Sequence, residues 1–122
     1  MEFFFRRHVC RLENPPDAAM STFTHINQTI YERMQGPNEM LITGIHKDYD
    51  ITDRLNQLSV PTLFVCGRHR STRPEETAWY HSLVPGAELV VFEHSSHLPH
   101  LEEPEEYLQA LRGFVHDTER AP

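Results

Sequence analysis

Three histidines fall three residues apart, at His94, His97 and His100, and an imidazole can serve near neutral pH as a general base or a metal ligand. His97 is the best candidate base. It sits in a polar loop directly after the apolar run Leu89-Val90-Val91-Phe92, so a buried strand would carry it from a rigid scaffold to an edge. A metal site is less well supported. Spacing by three aligns ligands only on a helix, Pro99 and the Ser95-Ser96 pair oppose a helix there, and no cysteine or carboxylate completes a ligand pattern. A base also needs a nucleophile to activate. None of the five glycines, Gly36, Gly44, Gly67, Gly86 and Gly113, belongs to a G-x-S-x-G elbow. Ser95 and Ser96 adjoin His97 without any signal of the strained turn that would expose a nucleophilic hydroxyl.

The elements that position His97 can be read outward from it. Val60-Pro61-Thr62-Leu63-Phe64-Val65-Cys66-Gly67 is a second apolar run ended by a glycine and a polar loop. Between the two runs, Pro74-Glu75-Glu76 opens a helix that Pro85-Gly86 stops. Runs that are apolar throughout predict a parallel pair covered on both faces and joined by a right-handed crossover. The fold class is therefore α/β. Ligands of such sheets lie at the carboxyl ends of the strands, where the loops 68–73 and 93–103 fall. Upstream, Phe3 to Leu12 reads as a helix end broken by Asn14-Pro15-Pro16, and Asp17 to Met34 as one helix with Met20, Phe23, Ile30 and Met34 on a stripe. Residues 39–44 read as a short extended piece, 47–50 as a polar loop, and Thr52 or Asp53 as the cap of a short helix. The last helix starts near Pro104 and carries Tyr107, Leu108, Leu111, Phe114 and Val115 on one side, with fraying expected from Asp117.

A chain of 122 residues bounds this to about one domain, and 39% hydrophobic content allows a core. Two sheet strands cannot cover their own faces and edges, so the chain reads as part of something larger. A net charge of -7 with scattered arginines argues against nucleic-acid and anionic-membrane partners. The apolar start, Phe3-Phe4-Phe5, is too short for a signal peptide or a span, and a cytoplasmic setting is expected. Cys10 and Cys66 lack metal or redox spacing and read as reduced, buried thiols.

Five ordered segments are familiar together. Met34-Gln35-Gly36-Pro37-Asn38-Glu39, Asp48-Tyr49-Asp50-Ile51-Thr52-Asp53, Val60-Pro61-Thr62-Leu63, Gly86-Ala87-Glu88-Leu89 and His94-Ser95-Ser96-His97-Leu98-Pro99-His100 closely resemble the proline iminopeptidase family of α/β-hydrolases. The similarity runs from about Phe4 to Val115 and covers only the family's C-terminal part. It implies a C-terminal fragment of the hydrolase fold: residues 1–50 as the end of the helical cap, and 51–122 as the last two parallel strands and helices of the core. The upstream sheet, oxyanion-hole loop and serine elbow of the family have no counterpart in these residues.

What the resemblance implies is serine-hydrolase chemistry that releases an N-terminal proline from peptides, with no cofactor and no metal. His97 matches the family's catalytic histidine. Glu39 matches the cap glutamate that holds the substrate's free α-amine, a cation suited to a carboxylate. Two positions depart from the family. Arg70 stands where the triad aspartate is found, and Ser71 where a second amine-binding glutamate is found. A cation beside an imidazole disfavours imidazolium and cannot accept its Nδ1 proton, so the isolated chain is expected to be inactive. Its partner, once completed by an N-terminal half, would be a peptide with a free N-terminal proline. The alternative is a non-catalytic remnant that serves as a peptide- or protein-interaction module. An exposed sheet edge also offers a route to self-association.

Overall fold

The computed structural model describes residues 2–38, 40–71 and 73–120. In chain order, a short helix α1 (Glu2–Phe4) continues as a π-helical turn over Phe5–Val9, followed by α2 (Asp17–Thr24) and α3 (Gln28–Met34). Two 3-10 turns, Ile45–Asp48 and Thr52–Gln57, precede β1 (Leu63–Gly67), α4 (Pro74–Ser82), β2 (Glu88–Phe92), α5 (Pro99–Glu102) and α6 (Pro104–Arg120). The chain divides into two compact units, Pro16–Asp53 and Met1–Pro15 with Arg54–Pro122.

In the unit that holds the sheet, β1 and β2 pair in parallel, Leu63 opposite Glu88 and Gly67 opposite Phe92. This is the strand-helix-strand arrangement that the two apolar runs predict. α4 makes the crossover, with Pro74 at its first turn and Glu75 and Glu76 at the positive end of the helix dipole. α6 turns Ala110, Leu111 and Phe114 toward Leu63 and Val65 across an apolar hollow of about 240 Å³. Tyr107 packs on Phe92 with ring centroids 5.7 Å apart.

Burial concentrates at the carboxyl ends of the strands. Cys66 and Phe92 are buried, whereas Leu63, Phe64, Val65 and Leu89 to Val91 are only half-buried. The expectation of two fully covered faces is corrected accordingly: with two strands, the packed helices cover the ends near the loops and leave the rest open. Among the described residues, neither outer edge of the sheet has a partner strand. Cys10 and Cys66 are both buried and free, and burial pushes the Cys10 thiol above its ordinary value, partly offset by the Leu12 N–H.

Other expectations shift in detail. The first helix ends at Val9, where Cys10 turns extended at φ -144°, rather than reaching Leu12. α6 runs to Arg120 instead of fraying at Asp117, and Thr118 Oγ1 donates back to the Phe114 carbonyl at 2.7 Å.

In the unit Pro16–Asp53, the single helix expected over Asp17 to Met34 is two helices. The break has a side-chain cause. Thr24 Oγ1 bonds the carbonyls of Met20 and Ser21, and His25 Nδ1 donates to the Ser21 carbonyl at 2.9 Å. Asn27 then caps α3 by accepting from the Ile30 N–H at 3.1 Å. Short polar side chains of this kind offer the backbone an alternative to the helical ladder. Past α3, the chain reverses at Gly36, whose φ of 128° favours glycine. A Cβ there would strike the Leu41 carbonyl and the Thr43 backbone. The carbonyl of Gln35 accepts from the N–H groups of both Thr43 and Gly44, at 3.0 Å each, and Asn38 bridges to Leu41. The 3-10 turn at Ile45–Asp48 takes up part of the stretch expected as loop.

Candidate functional site

β1 and β2 end side by side, and the loops that follow them are tied to each other by backbone. Arg68 N–H donates to the Phe92 carbonyl at 2.8 Å and His69 N–H to the Ser95 carbonyl at 3.0 Å. The N-terminal turn braces the same place. His97 N–H donates to the Val9 carbonyl at 3.2 Å, and His8 Nδ1 donates to the His69 carbonyl at 3.1 Å.

Gly67 is where the two loops come closest. A Cβ on it would run into the carbonyl oxygens of Ser95 and Ser96, and these are backbone atoms that cannot swing aside. Gly67→Ala is therefore expected to destabilise the chain by about 2–3 kcal/mol and to disturb the histidine loop first. Urea unfolding with amide spectra of residues 94–98 measures both effects.

Two carboxylates fix the loop from the other side. Glu102 accepts from Arg11 N–H at 2.7 Å, Ser96 N–H at 2.9 Å, Leu98 N–H at 3.1 Å and the Ser96 hydroxyl at 2.9 Å. Glu103 accepts from His94 N–H at 3.1 Å and from the Ser95 hydroxyl. Bonds to a charged acceptor are the strong ones. Glu102 and Glu103 hold the loop that presents His97, a role that sequence reading missed because acids before a proline look like ordinary helix-opening residues. Glu102→Gln removes the charge and turns half of the acceptor into a donor. It is expected to cost about 2–4 kcal/mol and to speed amide exchange at Ser96 and Leu98, read by hydrogen exchange.

Ser95 and Ser96 are fully buried. Their hydroxyls are committed to Glu103 and Glu102, which removes them as nucleophiles. His97 is exposed and lines a hollow of about 230 Å³ together with Arg70, Ser96, His100 and Tyr107. The geometry thus brings the predicted base and Arg70 to one hollow. Among the described residues, no aspartate or glutamate lines this hollow. Of the three histidines, His97 and His100 line this hollow, with His100 packed on Tyr107 at 5.9 Å, and His94 lines a separate groove with Glu93 and Glu103. Ser71 is exposed. Glu39 lies outside the described residues.

The two arginines of the first loop differ. Arg68 grips Glu93 side-on, Nε at 2.9 Å and Nη2 at 2.6 Å, and this pairing lowers the Glu93 carboxyl below its usual range. Arg70 Nε is buried and meets no acceptor among the described residues.

No family model matches the chain. Curated relatives do. A proline iminopeptidase of Heyndrickxia coagulans is 39% identical over 116 residues, which is 94% of this chain and 40% of that protein. A proline iminopeptidase of Saccharolobus solfataricus is 36% identical over 94% of this chain and 37% of its own length. The chain thus spans about two fifths of the relatives it matches. Among solved structures, proline iminopeptidase from Mycobacterium smegmatis superposes with a TM-score of 0.89 at 32% identity, over 96% of this chain and 40% of that one. VinJ gives the same TM-score of 0.89 at 37% identity over 97% of this chain and 40% of its own. No helix among the described residues is long and apolar enough to cross a membrane. With the parallel pair, the histidine loop and these relatives in agreement, the chain belongs to the proline iminopeptidase family of α/β-hydrolases, as a C-terminal part of it.

Proposed function

We propose that these 122 residues are the C-terminal part of a serine hydrolase that releases N-terminal proline from peptides, and that by themselves they catalyse nothing. One observation carries the reading. His97 stands exposed at the carboxyl ends of a parallel strand pair, on a loop braced by Glu102, Glu103, Val9 and His69. A general base needs that combination of rigidity and access. Residues 1–50 are the end of the cap and 51–122 the end of the core. The nucleophile and oxyanion donors come from an N-terminal part, and a cytoplasmic setting accords with two buried, unpaired thiols.

Glu39 is the residue we assign to the substrate's α-amine. Its test uses the chain joined to the upstream part of the Heyndrickxia coagulans relative and carrying Arg70→Asp. Glu39→Ala is then expected to weaken binding of free-amine prolyl substrates by about 1.5–3 kcal/mol, roughly one to two decades. Equal losses with N-acetylated substrates contradict the assignment, and a joined protein that is inactive in every form contradicts the enzymatic reading.

A second reading is favoured by Arg70 and by the unpartnered sheet edges: a remnant that has given up catalysis and binds a peptide or another chain by strand addition. Activity in the joined protein separates it from the first.

A further inference from the structure

The outer edge of β2 is open, and part of its backbone is aimed outward. Glu88 N–H donates to the Thr62 carbonyl, and the Phe92 carbonyl accepts from Arg68 N–H, so the even-numbered residues of β2 bond toward β1. In a parallel ladder the N–H and C=O of one residue point the same way, and those of Leu89 and Val91 therefore point away from β1. Among the described residues these groups have no hydrogen-bond partner and no strand beyond them. Beside this edge runs an open groove of about 690 Å³, with Val90 and Phe92 on one wall and Ala110, Gly113 and Phe114 of α6 on the other. Gly113 sits inside a helix of 17 residues, where glycine is less stable than alanine. Its φ is not positive, and a Cβ on it would meet nothing within 4 Å. The fold itself has no use for that missing side chain, which leaves space in the groove wall for a chain that approaches closely.

The rim of the groove is acidic. Glu93 is held by Arg68, and Glu103 by His94 N–H and the Ser95 hydroxyl. Glu88 and Glu106 meet no cation among the described residues, and Asp117 meets the exposed ring of its neighbour His116. No lysine or arginine among the described residues lines the groove. The hollow along β1 differs: Leu63, Val65, Leu111 and Phe114 line it and no charged residue does, as suits an edge that more of the same sheet would cover. We propose that the β2 edge is a docking site for an extended, lysine- or arginine-bearing segment of another protein. The segment adds as a strand beside residues 89–91, lays apolar side chains against Val90 and Phe114, and sets its cations among Glu88, Glu106 and Asp117. A second copy of this chain fits badly, because the same acids would face one another across the joint in a chain of net charge -7. The proposal rests on the strand-addition reading above and adds to it the edge and the charge of the partner.

The test titrates a short capped peptide of alternating lysine and valine into the full chain at low salt and follows the amide spectrum. Saturable shifts are expected at Leu89 and Val91, whose amides should also gain protection from exchange. None are expected at Leu63 and Val65, whose backbone faces the other outer edge, since Thr62 and Arg68 bond toward β2. The same peptide with glutamate for lysine, or with its backbone N–H groups methylated, should not bind. Gly113→Leu fills the groove and should weaken the lysine peptide at least about tenfold without lowering the thermal midpoint of the chain. Glu88→Gln, Glu106→Gln and Asp117→Asn together should weaken it about tenfold and flatten its salt dependence. Shifts at Leu63 and Val65 instead would keep strand addition and overturn this edge. Equal binding of the glutamate peptide, binding that Gly113→Leu leaves unchanged, or self-association through residues 89–91 without peptide overturns the proposal. So does the lack of any saturable shift, which would mean that the acids only guard the edge. If the triple variant is unfolded by circular dichroism, Gly113→Leu and the glutamate peptide still decide it.

Discussion

Replacing Arg70 by aspartate in the joined protein is expected to raise turnover of proline p-nitroanilide by up to about 10⁴-fold, the scale on which an orienting aspartate contributes to a Ser-His-Asp system. The prediction follows from sign and place. Residue 70 follows β1 and lines the same hollow as His97. A carboxylate there accepts the Nδ1 proton of the imidazole, fixes its tautomer and stabilises the imidazolium that forms as the serine gives up its proton. A guanidinium does none of these and repels the imidazolium. The gain should appear mainly in kcat, because the acid acts on the transition state rather than on substrate binding. Arg70→Asn is the control: it removes the cation without providing a proton acceptor of the same strength, and should recover only a small part. No gain with aspartate would mean that residue 70 does not stand in the place of the acid.

The strand-helix-strand core was legible because its signals are local. Leu63–Gly67 and Glu88–Phe92 are short apolar runs, Pro74 opens the crossover, and parallel pairing follows from the length between them. The placement of His97 was legible for the same reason, as a polar residue in the loop past a strand. What escaped sequence reading depends on partners distant in the chain or on competition between polar groups. Nothing in the short stretch of α5 says that its last residue, Glu102, reaches Arg11 and Ser96. Gly67 reads as a strand terminator, whereas its lack of a side chain is required by the carbonyls of Ser95 and Ser96. The stripe from Met20 to Met34 is helical in period, yet Thr24, His25 and Asn27 divide it, and a hydrophobic pattern does not register such side-chain bonds. That the Nε of Arg70 is buried with no acceptor among the described residues is likewise a fact of three dimensions.

Hydrolysis of proline p-nitroanilide by the 122 residues alone is expected to stay at the uncatalysed background, and His97→Ala to leave it there. Ser95 and Ser96 are buried and bonded to Glu103 and Glu102, no G-x-S-x-G elbow occurs among these residues, and on the proposed reading Arg70 stands where the acid would. Triad members act as a unit, so a histidine without its nucleophile keeps almost none of the catalysis. Background rates for both proteins, at enzyme concentrations high enough to detect one turnover per hour, are the predicted result. Turnover by the wild-type chain that His97→Ala abolishes would contradict it and make these residues an enzyme in their own right.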